Sequence, residues 1–260
     1  MSGAWLDRYR AVLCDLDGCL ISGETVLPGA GELVAAAGAR LFIVSNNSTD
    51  TSETLSARLA RLGLDLPAER LVLAGVTALE MLAREMPGGR VALFAAPALF
   101  AYAEATGLVL DDATPEVAVL ARDTELTYPR LARLVRHAGA GVPLVVTNPD
   151  ASHPAADGAP VPETGALLDA VRACLPDLEV RIIGKPETTL IDEALRRAGA
   201  APEEALFIGD NPATDGAGAA RAGLDFALIR GPSAKGTAGA QASRTLLDLL
   251  AARGPLTLAG

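Results

Sequence analysis

The stretch from Arg10 to Leu20 limits what this chain can become. Ala11, Val12 and Leu13 form an unbroken apolar run that leads through Cys14 into Asp15-Leu16-Asp17-Gly18. A short apolar run that stops at a turn residue reads as a strand buried on both faces. Such a strand needs helices on either side of its sheet, which points to a layered α/β fold. Gly18 lets the chain turn away without a Cβ clash. Two carboxylates two positions apart are left at the strand end. They repel when both are ionised, and a divalent cation is the usual compensation.

The same grammar repeats downstream. Apolar runs at Leu41–Val44 and Leu71–Leu73 read as strands, and helices are predicted at Leu33–Ala37, Thr51–Leu62 and Thr77–Arg84. Strand and helix alternate with short joints, so the sheet should be parallel with right-handed crossovers. After Pro87-Gly88-Gly89 the pattern restarts. Strands are expected at Val91–Ala95, Val117–Leu120 and Pro143–Val146, with helices at Ala98–Ala105, Tyr128–His137 and Gly165–Cys174. Ala151–Pro162 reads as a loop. Strands at Val180–Ile183, Ala205–Ile208 and Phe226–Ile229 then resume the first pattern, with helices at Leu190–Ala198, Thr214–Ala222 and Thr245–Ala252. Thr214 or Asp215 is the expected cap of its helix. Gly231–Ala240 reads as a loop. The expectation is a doubly wound parallel sheet from residues 1–87 and 179–260, with an α/β unit inserted over 88–178.

Chemistry-bearing residues fall at the predicted strand ends: Asp15 and Asp17, Ser45-Asn46-Asn47, Lys185, and Asp210-Asn211. In an open parallel sheet those ends share one edge, where ligands bind at the topological switch point. The set suits phosphoryl transfer, which needs a positive cradle, a metal and an in-line nucleophile. Ser45 and the N–H groups after it can hold phosphate oxygens. A carboxylate can attack phosphorus, and Lys185 can neutralise charge beside it.

Composition narrows the partners. The formal charge is −10, which argues against nucleic acid or an anionic membrane as partner. The first apolar run is short and enters acidic residues, so no signal peptide is read. No apolar stretch nears the roughly 18 residues of a membrane span. Three cysteines without metal-ligand spacing fit a reduced, cytoplasmic setting.

The motifs resemble those of the haloacid dehalogenase superfamily. Asp-x-Asp-Gly after a strand, Ser-Asn-Asn, Gly-Lys-Pro and Gly-Asp-Asn-x-x-x-Asp occur in its order. Leu27-Pro28-Gly29-Ala30, Leu126-Thr127-Tyr128, Thr147-Asn148-Pro149-Asp150 and Gly209-Asp210-Asn211-Pro212-Ala213-Thr214-Asp215 are similar to its type IIA phosphatases. The likeness spans about residues 9–232. It implies a Mg²⁺-dependent phosphatase of small-molecule phosphate esters. Asp15 would be the nucleophile, Asp17 the general acid and base, and Lys185 a clamp on phosphate and Asp15. Ser45, Asn46 and Asn47 would bind phosphate. Asp15, Asp210 and the Asp17 carbonyl would hold the metal, supported by Asn211 and Asp215. The inserted unit would be a cap that reads the leaving group, with Asn148, Asp150 and His153 as substrate contacts and a homodimer formed through it. A phosphotransferase or mutase would use the same residues, and a phosphate-binding protein without turnover is the rival outside enzymes. The chain departs from the branch at Pro162-Glu163-Thr164-Gly165, where a Pro-Gly-x-Gly is usual. Glu163 adds charge there.

Overall fold

The structure is a computed structural model that describes residues 4–155, 158–229 and 245–251. The Gly231–Ala240 stretch and the last residue of the closing helix lie outside the described residues.

The chain divides into two compact units. The first comprises Met1–Ser45, Glu53–Val72 and Lys185–Gly260, and the second Asn46–Ser52 and Leu73–Gly184. The second is wider than the expected 88–178. It takes in the helix Ala74–Glu85 and the short segment that follows Ser45.

In the first unit the strands stand in the order Asp225–Leu228, Ala205–Gly209, Ala11–Cys14, Leu41–Ser45, Leu71–Leu73. Ala11–Cys14 is the middle strand and pairs in parallel with both neighbours, Val12 standing opposite Leu206 on one side and Leu41 on the other. All of Ala11, Val12, Leu13 and Cys14 are buried. Burial on both faces is what an uninterrupted apolar run of this kind requires. Each large aliphatic or aromatic side chain so placed contributes about 1.5–3 kcal/mol. The chain builds outward from the middle strand to Leu71–Leu73, then returns to the other side through Ala205–Gly209. The order therefore reverses beside Ala11–Cys14, and the residues just after that strand and after Ala205–Gly209 flank the switch point.

The second unit carries its own five-stranded sheet, in the order Arg181–Ile182, Leu144–Val146, Val117–Leu120, Arg90–Phe94, Val109–Leu110. Its pairs are parallel. Phe94, Leu120 and Val146 from the sheet pack with Leu134 of helix Tyr128–Gly139 and with Leu168 and Val171 of helix Thr164–Cys174.

The structure corrects several expectations. The strand near Val180–Ile183 belongs to the second sheet, where Arg181 stands opposite Val145. A short apolar run carries no mark of which parallel sheet it will join. Val109–Leu110 is an edge strand too short to show a period. Ile21–Ser22 pairs with Thr25–Val26 in a small hairpin. Ala151–Pro162 is not featureless: Ser152–Pro154 pairs antiparallel with Pro160–Pro162. Prolines at both strands hid it, since they confine a strand to unshared edges. Finally, Asn211 caps the turn Pro212–Gly216, its side chain accepting from the Ala213 N–H, in place of Thr214 or Asp215.

Candidate active site

The first unit gathers its charged side chains at the switch point. Asp15 continues the middle strand, its N–H donating to the Ile208 carbonyl at 2.9 Å. Asp210 follows the neighbouring strand Ala205–Gly209. Gly18 lies so close to Asp210 that a Cβ built on it would fall 2.1 Å from Asp210 Oδ2. Its φ of +81° is also one that side chains resist. The glycine thus serves both the turn and the approach of the loop to the second carboxylate.

Lys185 is buried and anchors the cluster. Its Nζ donates to Asp15 Oδ1 and to Asp215 Oδ1, both at 2.7 Å. Asp215 is fully buried, and its Oδ2 accepts from the Asn211 N–H at 3.1 Å. The Asp215 carboxylate, expected to cap a helix or support a metal, is bonded to Lys185 and to the Asn211 backbone. Phe207 lies beneath the ammonium, 5.5 Å from ring centre to Nζ. Burial works against the ammonium, but Asp15 and Asp215 outweigh it and hold its pKa above the ordinary lysine value. Lys185 is therefore cationic throughout the physiological range.

The carboxylates feel the opposite pressure. Burial pushes Asp15 well above the usual carboxylate range; Lys185 opposes the rise, and Asp215 and Asp17 add to it. Burial, then the Asp215 charge, pushes Asp210 up to about 6. One lysine cannot neutralise these acids, so the cluster is short of positive charge. Ligand atoms of Asp15, Asp210 and Cys19 lie within 4.8 Å of one another. Cys19 is a thiol raised first by burial and then by its contact with Cys14, so sulfur is the poorer donor here. The two carboxylates fit a hard divalent cation that takes oxygen ligands. Asp17 is exposed, next to the turn at Gly18. Asn211 is exposed beyond Asp210. Ser45 is buried at the end of its strand.

The remaining expected residues lie in the second unit. Asn47 forms a turn, its Oδ1 accepting from the N–H groups of Thr49 and Asp50 at 3.0 Å each. Asn46 Nδ2 donates to Asp150 Oδ2 at 2.9 Å. Asn148, expected against substrate, is fully buried and spends its side chain inside its own unit. His153 Nδ1 lies 2.7 Å from Glu163 Oε1, and Arg122 Nη1 lies 3.3 Å from the same oxygen. Burial raises the Glu163 carboxyl, with Arg122 and His153 opposing. Arg122 was not singled out from the sequence; the departure at Glu163 was the only signal, since an inward charge needs a partner. Ser48 and Thr164 carry no signal in the sequence that sets them apart from other hydroxyls at turns and helix starts.

Known proteins share this architecture. Residues 12–109 match the model of the haloacid dehalogenase-like hydrolases, and residues 182–249 a second, HAD-hydrolase-like model. The chain is 30% identical over 221 residues to a dihydroxyacetone phosphatase of Corynebacterium glutamicum, covering 84% of this chain and 80% of that one. A 4-nitrophenylphosphatase from Thermotoga maritima superposes with a TM-score of 0.87 at 26% identity, over 96% of this chain and 99% of that one. A glycerol phosphate phosphatase from Mycobacterium tuberculosis, solved in complex with magnesium, superposes with a TM-score of 0.83 at 26% identity, over 96% and 79%. Among the described residues, no helix is long and apolar enough to cross a membrane.

Proposed function

The chain belongs to the haloacid dehalogenase-like hydrolases, and on that premise we propose that it is a magnesium-dependent phosphatase of small-molecule phosphomonoesters working through an aspartyl-phosphate. The observation that carries this reading is the buried Lys185, bonded at once to Asp15 and Asp215 beside the switch point. A lysine so held keeps the Asp15 carboxylate oriented and leaves positive charge where a phosphate would approach.

The proposed chemistry runs in two steps. An oxygen of Asp15 attacks phosphorus as the ester P–O bond breaks, and Asp17 gives its proton to the leaving alcohol. Asp17, now ionised, takes a proton from water, whose oxygen bonds to phosphorus as the bond between phosphorus and Asp15 breaks; inorganic phosphate leaves and the Asp15 carboxylate is freed. Asp17 suits the task because it is exposed beside the nucleophile and can exchange protons with solvent. Ser45 and Asn46 bind phosphate oxygens, with Asn47 shaping their turn. Asp15, Asp210 and the Asp17 carbonyl would hold Mg²⁺, with Asn211 alongside. When bound, the ion offsets repulsion between these carboxylates and the anionic ester.

The second unit is read as the cap, and Asp150 and His153 as its contacts to the leaving group. The relatives named for dihydroxyacetone and glycerol phosphate make small polyol phosphates the first panel to try. The reading includes a cytoplasmic setting, in keeping with free Cys14, Cys19 and Cys174, and a homodimer through the cap. Sedimentation equilibrium tests the dimer, and a monomer mass removes it.

The central test is phosphate release from p-nitrophenyl phosphate with Mg²⁺, compared with Asp15→Asn. Turnover should need the cation and fall on the order of 10⁴-fold or more in the variant. The proposal fails if wild type releases no phosphate from a broad ester panel, or if Asp15→Asn matches it.

A further inference from the structure

Asn148 sits at the centre of a buried polar knot in the second unit. Its Nδ2 donates to the Asn46 carbonyl at 2.9 Å and lies 3.1 Å from Thr164 Oγ1 and 3.3 Å from Ser48 Oγ. Its Oδ1 accepts from the Asp150 N–H at 3.1 Å. Both ends of the amide are therefore spent within the protein. Ser48 and Thr164 stand 3.3 Å apart, and Ser48 Oγ also accepts from the Arg122 N–H at 3.1 Å. Asn148, Ser48 and Thr164 are all buried. A network with every member satisfied rigidifies what it holds.

What it holds are two chain crossings. The Asn46 carbonyl is one residue past Ser45. Gly184 is one residue before Lys185, and its N–H donates to the Thr147 carbonyl at 2.8 Å. Gly184 also lies hard against the knot. A Cβ built on it would fall 2.5 Å from Asn46 Oδ1, 2.7 Å from the Thr147 carbonyl and 3.0 Å from Asn148 Cβ. The segment that follows Ser45 and the one that leads to Lys185 thus meet around one side chain, although about 140 residues separate them in sequence, a span that only long-range contacts can bridge.

We infer that Asn148 is a positioning residue: one buried amide sets the backbone on which Ser45 and Lys185 are carried, and so fixes their spacing for phosphate. The inference rests on the proposed role of Ser45 in phosphate binding. It requires no contact between Asn148 and substrate. It also gives Thr164 and Ser48 a purpose, as the acceptors that orient the amide toward the Asn46 carbonyl.

The test measures kcat with p-nitrophenyl phosphate and product inhibition by inorganic phosphate, each per folded protein with folding followed by circular dichroism. Asn148→Ala should raise the phosphate inhibition constant and lower kcat about tenfold each. Thr164→Val, which removes one acceptor at constant shape, should raise the inhibition constant about threefold. A role in stability alone would lower the melting temperature and leave phosphate inhibition of the folded enzyme unchanged; that result overturns the inference. If Asn148→Ala does not fold, Thr164→Val decides, and an unchanged inhibition constant counts against the inference. Ser45→Ala separates the two readings. If it leaves phosphate inhibition unchanged, the phosphate role itself falls. If it weakens inhibition while the folded Asn148 and Thr164 variants do not, only the positioning role falls.

Discussion

The two units bury polar side chains for opposite purposes. In the first, Asp15, Lys185 and Asp215 stand together at a strand edge, and burial pushes the Asp15 carboxyl well above its usual range. In the second, Asn148, Ser48 and Thr164 are neutral groups whose bonds close on one another. Buried charge costs free energy that only a ligand or counter-ion relieves, so it marks a place kept ready for chemistry. A closed neutral network needs no partner and marks a place kept still. The partly buried group Arg122, His153 and Glu163 falls between the two: charged, but with its partners beside it.

The contrast can be broken most forcefully at Lys185. Lys185→Met leaves Asp15 and Asp215 buried without their cation, a change expected to cost about 3–5 kcal/mol of stability. Turnover should fall on the order of 10²–10³-fold. Denaturant melts and steady-state rates read the two effects, and a variant as stable as wild type would mean the charges are not strained.

Gly184→Ala tests the still region next. The added methyl meets the Thr147 carbonyl at 2.7 Å, and backbone cannot swing aside as a long side chain can. The expected cost is about 1–3 kcal/mol. Thermal denaturation checks it, and no loss would show that the knot yields.

Glu193 offers a buried charge with its partners in place. The hydrogen bond from Arg196, then burial opposing it, then Arg197 bring Glu193 down to about 2. Its folded pKa lies below the ordinary value of 4.5, so its stabilisation is present above that value and is lost as pH falls toward about 2. Glu193→Gln should cost about 1 kcal/mol at neutral pH, because Arg196 is largely exposed and screened. The gap between variant and wild type should close across that acid window in pH-dependent melts; a gap constant with pH would remove the ion pair as its cause.

The smallest effect belongs to Glu163→Gly, which restores the residue usual in the family at this position. Stability should change by about 0.5 kcal/mol or less, since glycine is tolerated at the start of helix Thr164–Cys174. A changed order of preference among phosphate esters would place the Arg122–His153–Glu163 group in substrate choice. An unchanged order would confine it to the surface.

Much of the active cluster was legible because parallel sheets oblige it to be. A doubly wound sheet puts the carboxyl ends of its strands on one edge, so Asp15 and Asp210 could be brought together from strand pattern alone. Lys185 is expected on that edge because it follows the strand Val180–Ile183, yet that strand joins the second sheet, and the lysine meets the cluster through its bonds to Asp15 and Asp215. The pairing of Asp215 with Lys185 was not legible, because an aspartate one turn past Asn211 explains itself equally well as a cap. Asn148 misled in the other direction. An amide in a Thr-Asn-Pro-Asp turn looks available to a ligand, and only its burial shows that it is spent.

Local pattern along the chain is enough for the layered α/β class, the alternation of strand and helix, and most of the residues that crowd the switch point. These follow from local rules: apolar period, turn residues, and the fixed edge of a parallel sheet. Tertiary structure alone decided which sheet Arg181–Ile182 joins, which partner each buried polar group takes, and that Asn46, Asn148 and Gly184 meet. Those outcomes depend on contacts between residues far apart in the chain, whose energies no local pattern encodes.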